Sequence, residues 1–290
     1  MGNRLFCFGL GYSAQVFAAR RRLAGWAVAG TTRTVEKRAR LRDAGVEAHL
    51  FNRGVPLADP RAALAGTTHL LVSISPDDAG DPVIDTHAAD IAALGRAAPP
   101  LAWIGYLSST AVYGNWDGAW VDETSPLRGD SPRGRRRIAA EKAWLDFGAR
   151  HGIVVQIFRL SGIYGQGRSV LDDVRDGTAR RIVKPGHAFS RIHVHDIARV
   201  LEASIARPRA GGIYNVSDDE PAPSPDVVAY ACKLLGRDPP PAVAFRDATL
   251  SPMAQSFYAD SRRVRNDLIK RELGVTLAYP NYRAGLESLV

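Results

Sequence analysis

The chain has 290 residues, 46% of them hydrophobic and 23% charged, and its 38 basic and 30 acidic residues leave a formal net charge of +8. A chain of this size can bury a full α/β core with a smaller appended lobe, and it has no apolar run of roughly 18 residues that could span a bilayer. Most basic residues are scattered arginines without interleaved aromatic residues or zinc ligands, so neither a membrane nor a nucleic acid is expected as a partner.

The chain carries two cysteines, Cys7 and Cys232, which lie far apart in sequence. They provide neither a disulfide framework nor the spacing of a metal site, so we expect reduced, buried thiols and no metal. The first residues run directly into an apolar strand pattern rather than a leader peptide, which favours a cytoplasmic protein.

The first predicted strand ends in a glycine-cornered turn, and GLGYSA at 9–14 matches the pattern GxGxxA. In this pattern Gly9 permits the tight turn, Gly11 lets the backbone approach a phosphate, and Ala14 lets the following helix pack closely. A pyrophosphate binds at the N-terminus of such a helix. Although a purely structural turn is the alternative, we predict that a dinucleotide binds to Gly9, Leu10, Gly11, Tyr12, Ser13 and Ala14.

The second predicted strand ends in GTTRT at 30–34, without an acidic residue. An NAD site usually has Asp or Glu there, whereas Arg33 stands where a 2′-phosphate would lie. Arginine binds phosphate through two parallel hydrogen bonds, and Thr31 or Thr32 can add a hydroxyl. We therefore predict NADP(H), bound by Thr32 and Arg33, with NAD as the alternative cofactor and a solvated Arg33 as the alternative role. Two further basic residues are secondary candidates, Lys37 and Arg38.

Strands alternate with helical stretches through the first two thirds of the chain. This alternation predicts an α/β fold, a Rossmann-type doubly wound parallel sheet with helices on both faces. Strands are predicted near 4–9, 26–31, 47–51, 69–74, 101–107 and 153–159. Helices are predicted near 13–24, 34–44, 82–97 and 134–150.

Ligands of such folds bind at the carboxyl ends of the strands. Ser73 and Ser75 follow the fourth strand and are predicted to line the cofactor cleft. The segment 114–132, rich in Gly, Asp, Ser and Pro, is predicted to be a loop after the fifth strand. Its acidic residues are expected to be solvated rather than catalytic, and these are Asp117, Asp122 and Glu123.

After about residue 165 the pattern becomes mixed, which predicts a small mixed C-terminal substrate lobe. We expect a Rossmann domain at 1–165, with a contribution from about 190–216, and an interleaved lobe that mainly comprises 166–290. The lobe region should contain a short strand at 192–194, a helix capped by Asp196 and a strand at 213–216. A further helix should begin at Ser224 and Pro225 and end at Gly236.

Several segments together resemble the extended short-chain dehydrogenase/reductases, also called the NAD-dependent epimerase/dehydratase family. The resemblance covers nearly the whole chain and adds to the GxGxxA turn four matching segments in the family's order. These are SSTAVYG (108–114), RLSGIYG (159–165), IHVHDIA (192–198) and YNV (214–216). The end of the chain, from Leu273 to Leu286, is similar to an atypical branch of the family.

The family's chemistry implies a Ser or Thr, a Tyr, and a Lys four residues after the Tyr. Ser109 matches the first position, but Arg133 stands in the Tyr position and Arg137 in the Lys position. A shifted alignment that uses Lys142 puts Ile138 in the Tyr position, so it does not restore the triad.

The missing Tyr changes the chemistry that this site can perform. The family Tyr transfers a proton because a neighbouring cation lowers its pKa, whereas an arginine cannot lose its proton in a protein. Arg133 and Arg137 lie one helical turn apart and could instead hold a carboxylate or phosphate. A solvated charged face is the alternative. Tyr113 and Tyr164 are expected beside the cofactor cleft, and either phenol could replace the missing acid.

His193 and His195 flank a valine in the predicted strand. They should therefore point to opposite faces, which argues against a metal pair and for a structural role. Helices 82–97 and 134–150 match those that family members pair across a dimer, so the chain is expected to be a monomer or a homodimer.

Two functions remain open from the sequence. The first is an NADP(H)-dependent oxidoreductase or epimerase with altered catalytic residues, acting on a small molecule such as an anion or a sugar nucleotide. The second is a redox sensor or scaffold that binds NADP(H) without turnover. The absent Tyr favours the second, while Ser109 and the apparently complete substrate lobe favour the first.

Overall fold

The computed structural model describes residues 2–290, except for the side chains of residues 252, 253 and 256. The elements follow in chain order, first through the central region: β1 (Arg4–Phe8), α1 (Tyr12–Leu23), β2 (Ala27–Thr32), α2 (Val35–Asp43), β3 (Glu47–Leu50), α3 (Pro60–Leu64), β4 (His69–Val72), α4 (Pro82–Leu94), β5 (Trp103–Ser109), β6 (Trp120–Val121), α5 (Pro132–His151) and β7 (Val155–Leu160). The remaining elements are β8 (Gly162–Tyr164), α6 (Val170–Arg175), β9 (Arg181–Val183), β10 (Arg191–His193), α7 (Val194–Ala206), β11 (Gly212–Val216), α8 (Ser224–Leu234), β12 (Ala242–Ala244), α9 (Pro252–Ala259), β13 (Arg263–Val264), α10 (Asp267–Leu273) and α11 (Tyr282–Glu287).

A seven-stranded, mostly parallel sheet with flanking helices forms the centre of the fold, which confirms the Rossmann-type prediction. Its strand order is β11, β7, β5, β4, β1, β2, β3. Strand β1 lies parallel between β2 and β4, with Phe6 opposite Ala29 on one side and Leu70 on the other. Central parallel strands are covered on both faces, which is why they consist of almost continuous apolar residues.

The chain divides into two compact units. The first comprises 2–109, Arg135–Arg159 and Ala198–Tyr214, and the second comprises Thr110–Gly134, Leu160–Ile197 and Asn215–Val290. The second unit therefore includes 110–134, which the sequence analysis assigned to the first domain. It contains three two-stranded parallel pairs, β8 with β10, β9 with β12, and β6 with β13.

The predicted elements differ from the observed ones in a few places. Helix α3 was missed because it is only five residues long, although Asp59 caps it through Ala62 N. The predicted loop 114–132 contains β6, which pairs with β13. Such a pairing between distant segments leaves little local signal in either of them.

Asp196 does not cap a helix, contrary to the prediction. Helix α7 begins two residues earlier, at Val194. The buried Asp196 carboxylate instead accepts hydrogen bonds from the backbone N–H groups of Ala278, at 2.8 Å, and Tyr279, at 2.9 Å. This aspartate therefore holds the C-terminal segment of the second unit.

The core of the second unit leaves no space at Gly285 of α11. A Cβ atom built on Gly285 would overlap the phenol ring and hydroxyl of Tyr164. Tyr164 and the adjacent Tyr282 and Leu286 belong to the same buried cluster, so the ring has little freedom to move away.

We expect Gly285→Ala to lower the free energy of unfolding by about 1 to 3 kcal/mol, because overpacking a filled core forces side chains from their preferred rotamers. Urea denaturation checks this value. Gly54→Ala is the matched control, since a Cβ there meets only the Asn52 side chain at 3.5 Å. Equal stability of the two variants would contradict the close packing of Gly285 against Tyr164.

Candidate functional site

The turn between β1 and α1 is held by the two neighbouring strands. Gly9 has φ +89°, and a Cβ there would lie 2.8 Å from Ile74 Cγ1. The Gly9 N–H donates to Thr31 Oγ1 at 2.8 Å, and the Ser73 hydroxyl donates to the Gly9 carbonyl. Leu10 N donates to the Thr31 carbonyl at 2.8 Å. Only glycine suits this position, and the hydroxyls of Thr31 and Ser73 shape the turn.

The N-terminus of α1 has the features of an anion site. Gly11 is the N-cap and supplies no capping side chain, and the first turn contains no acidic residue. A Cβ built on Gly11 would meet no atom within 4 Å, so there is open space above the backbone. Since the helix dipole is not neutralised by the helix's own side chains, this end fits a pyrophosphate.

A basic cluster lies where β2 leads into α2. Thr32 is buried, whereas Arg33 is exposed. The pKa of Lys37 is lowered, first by burial and then by the positive charges of Arg40 and Arg33. In the described part of the chain, none of these three cations forms an ion pair with a carboxylate. The cluster therefore has excess positive charge for an anionic group.

Arg137 is a buried cation held by neutral acceptors. Its Nη1 donates to the Leu107 carbonyl at 2.7 Å and its Nη2 donates to Ser75 Oγ at 2.7 Å, while Nη1 lies 3.4 Å from the Tyr106 hydroxyl. Among residues 2–290, no carboxylate forms a salt bridge with it. Ser75, predicted to line the cofactor cleft, thus binds Arg137 through its hydroxyl.

Arg133 has a different environment from Arg137. It is exposed, and its guanidinium lies 5.3 Å from the ring centre of Phe257, itself partly exposed. The sequence analysis treated the two arginines as a pair on one helical face. The structure instead has Arg137 buried against the ends of β4 and β5 within the first unit and Arg133 exposed within the second.

A buried ion pair lies next to Ser109, which is half-buried at the end of β5. Glu141 of α5 pairs with Arg159 of β7, with 2.8 Å between Arg159 Nη2 and Glu141 Oε2 and both side chains 3% exposed. Ser108 also donates to Glu141 Oε1 at 2.5 Å. Arg159 begins the family-like segment RLSGIYG, but its contact with Glu141 was not predicted. The sequence did contain a signal for this contact. Glu141 lies on the apolar face of a helix and Arg159 lies in a buried strand, and charged residues are rarely buried unless they are paired.

The two candidate phenols are both engaged. Tyr113 is fully buried and donates to Asn215 Oδ1 at 2.7 Å. Burial raises the pKa of Tyr164, and the negative charges of Asp218 and Asp196 raise it further. Such an environment disfavours loss of the phenol proton.

One loop acid has a structural role. Glu123 was expected to be solvated, but its Oε1 accepts from the Asn215 N–H at 2.8 Å. Asp122 accepts from the Thr124 hydroxyl at 2.7 Å, and its pKa is lowered chiefly by that hydrogen bond.

The prediction that His193 and His195 point to opposite faces is wrong. Strand β10 ends at His193 and α7 begins at Val194, so the alternation of a strand does not apply. The two rings stack with centroids 5.4 Å apart, and the His195 N–H donates to His193 Nδ1 at 3.3 Å. Burial, followed by the charge of His195, lowers the pKa of His193 to about 4.

In 2–290, no group of three or more His, Cys, Asp or Glu side chains is arranged to hold a metal ion. Over the same residues, no helix combines the length and apolar character needed to cross a bilayer.

Comparison with known proteins gives one family match and several structural matches. The model of the NAD dependent epimerase/dehydratase family matches residues 89–217. A functionally unknown conserved protein from Silicibacter pomeroyi is 50% identical, with a TM-score of 0.90 over 99% of this chain and 98% of that chain. The dTDP-glucose 4,6-dehydratase of Bacillus anthracis, solved in complex with NAD, is 16% identical with a TM-score of 0.72 over 99% of this chain and 94% of that chain, which shows the fold alone.

A curated relative with a described activity matches part of the chain. The 3-diazoavenalumate denitrifying reductase of a Streptomyces species is 28% identical over 183 residues. That match spans 57% of this chain and 58% of the relative. The parallel sheet, the glycine turn and the family match lead to one conclusion: the chain contains a domain of the NAD-dependent epimerase/dehydratase family, matched over residues 89–217.

Proposed function

We propose that the chain binds NADP(H) and acts as an oxidoreductase or epimerase on a small molecule in the cytoplasm, as a monomer or homodimer. The observation that carries this proposal is the uncapped N-terminus of α1 together with the unpaired basic cluster at Arg33. The first feature suits a pyrophosphate, and the second suits the additional phosphate that distinguishes NADP(H) from NAD(H).

The residues that would hold the cofactor fall into two sets. The turn from Gly9 to Ala14 would receive the pyrophosphate, while Arg33, with Thr32 and Lys37 beside it, would receive the 2′-phosphate. Ser73 shapes the turn through the Gly9 carbonyl. The NAD bound by the Bacillus anthracis dehydratase supports a nicotinamide cofactor in this fold. When bound, the nicotinamide supplies or accepts a hydride.

Three residues at the family's catalytic positions would then have separate tasks. Ser109 can donate a hydrogen bond to a substrate oxygen. Arg133 keeps its proton, so it can orient an anionic group but cannot act as a base. Arg137, anchored to Leu107 and Ser75, would keep a fixed positive charge at the carboxyl edge of the sheet.

A second function remains a specific alternative: an NADP(H)-dependent sensor without turnover. Arg133 in the Tyr position favours it, as do the two candidate phenols, because Tyr113 is bound to Asn215 and burial raises the pKa of Tyr164. A turnover assay distinguishes the two functions.

We expect Arg33→Ala to weaken NADPH binding about 10-fold to 100-fold, because one charge-assisted phosphate contact contributes about 1.5 to 3 kcal/mol. NADH affinity should change little. Calorimetric titration of both cofactors measures this difference, with Arg96→Ala, an exposed arginine elsewhere in the first unit, as control. Equal affinity of the wild type for NADPH and NADH would remove the proposed preference.

Gly11→Val should abolish cofactor binding without unfolding the protein. The added side chain enters the open space above the turn and meets no protein atom at its Cβ position, so it would displace only a bound phosphate. Circular dichroism and thermal unfolding check the fold, and fluorescence titration checks NADPH. A native fold with unchanged NADPH affinity would contradict the phosphate-binding role of the turn.

Wild-type turnover should not depend on a phenol. Across alcohols, ketones and sugar nucleotides at several pH values, we expect Tyr113→Phe and Tyr164→Phe to keep any wild-type activity to within about threefold, since neither hydroxyl is prepared to lose a proton. The double variant Arg133→Tyr and Arg137→Lys restores the family pattern, and its activity is compared with that of the wild type. Loss of activity in either phenylalanine variant, with the fold retained, would show that the phenol transfers the proton.

A further inference from the structure

The second unit contains a cavity of about 580 Å³. This volume lies in the range of small-molecule sites, roughly 300 to 1,000 Å³. One wall is apolar and is formed by Ile182, Val227, Val228 and Leu250. The ring of Tyr258 adds an aromatic surface that suits an apolar or aromatic body, and Ser224 and Ser251 add polar residues to the lining.

Arg191 gives the cavity wall a cation whose hydrogen bonds go to backbone carbonyl oxygens. Its Nη1 donates to the carbonyl oxygens of Phe189, at 2.8 Å, and Ala222, at 2.9 Å. Among residues 2–290, Arg191 forms no salt bridge. A guanidinium with neutral acceptors keeps its full charge and has donors of fixed geometry for a carboxylate.

Asp218, an acid that interacts electrostatically with Arg191, makes no hydrogen bond to it. Asp218 is 1% exposed, and neither of its carboxylate oxygens makes a hydrogen bond in the described structure. Burial raises the pKa of Asp218 well above its ordinary value, although the charge of Arg191 opposes the effect. Neither Asp218 oxygen bonds to the Arg191 guanidinium, so Arg191 has no ion-pair partner among the described residues.

The other charged residues of the wall limit how much negative charge the cavity can hold. Arg180 donates to the Thr249 carbonyl at 2.7 Å, and Asp173 adds a carboxylate. Burial raises the pKa of Asp173, and the neighbouring charges of Asp172 and Asp176 raise it further. The two cations and one acid of the wall have a net formal charge of +1, which a single negative charge matches more closely than the several negative charges of a diphosphate.

We propose that this cavity binds a monoanionic carboxylate with an apolar or aromatic body, with the carboxylate on Arg191, and that it excludes sugar nucleotides. That this ligand is the substrate rests on the proposed function. The binding site itself does not depend on turnover.

Calorimetry on the full chain tests the site with three probes: cinnamate, its neutral counterpart cinnamyl alcohol, and UDP-glucose. Cinnamate should bind at least tenfold more tightly than the alcohol, because charged hydrogen bonds contribute more than neutral ones. UDP-glucose should not bind or compete. Competition by UDP-glucose, or equal binding of cinnamate and its alcohol, would overturn the proposal.

Two variants locate the ligand. Arg191→Met should weaken cinnamate at least tenfold, and Leu250→Trp should abolish binding because the half-buried Leu250 side chain borders the cavity. Arg246→Gln, an exposed arginine of the same unit outside the cavity wall, should bind as the wild type does. If Arg191→Met does not fold, the Leu250→Trp result decides. Unchanged cinnamate affinity in Leu250→Trp would place the ligand elsewhere and refute the proposal.

NADPH titration of the same samples separates the two proposals. NADPH binding without cinnamate binding would refute the cavity assignment and leave the proposed function intact. Cinnamate binding without NADPH binding would refute the proposed function and support the cavity assignment.

Discussion

The buried ion pair between Glu141 and Arg159 fixes α5 against the central sheet, and the position of Arg137 on that helix depends on it. Breaking a buried pair by removing one partner typically costs about 3 to 5 kcal/mol, because the remaining charge is left without compensation. Ser108 adds a hydrogen bond to the same carboxylate. These contacts join helix α5 to both β5 and β7 beside Ser109.

Arg137 lies one helical turn before Glu141 on α5. The ion pair that holds Glu141 therefore also sets the direction in which the Arg137 side chain points. It reaches the Leu107 carbonyl and the Ser75 hydroxyl, which belong to the segments that end β5 and follow β4. An arginine in this position can hold a fixed charge at the carboxyl edge of the sheet. It cannot reproduce the proton chemistry of a phenol beside a lysine, since its own proton does not leave.

Among the described residues, positive charge without a salt-bridge partner recurs in the regions where ligands are proposed. It occurs at the first turn of α1, in the cluster around Arg33, at Arg137 and, in the second unit, at Arg191. Burying a cation, or placing several cations close together, costs free energy unless an anion lies beside them. Anionic ligands at these positions would therefore be stabilised, and the separate locations of the cations would let different sets of residues recognise different anions.

Local sequence determined the fold class, the main strands and helices of the first two thirds of the chain and the glycine turn after β1, because these follow from hydrophobic periodicity and from the conformational freedom of Gly9. Tertiary structure decided which polar residues meet. Three contacts join segments that are distant in the chain, so no local pattern specifies them. They are the ion pair of Glu141 with Arg159, the hydrogen bond from Arg137 to Ser75 and the hydrogen bond from Asn215 to Glu123. The His193 and His195 rings stack because a strand changes to a helix between them, a boundary that the assumed strand alternation missed. The charge at Arg191 likewise became informative only when burial and the surrounding neutral acceptors were known.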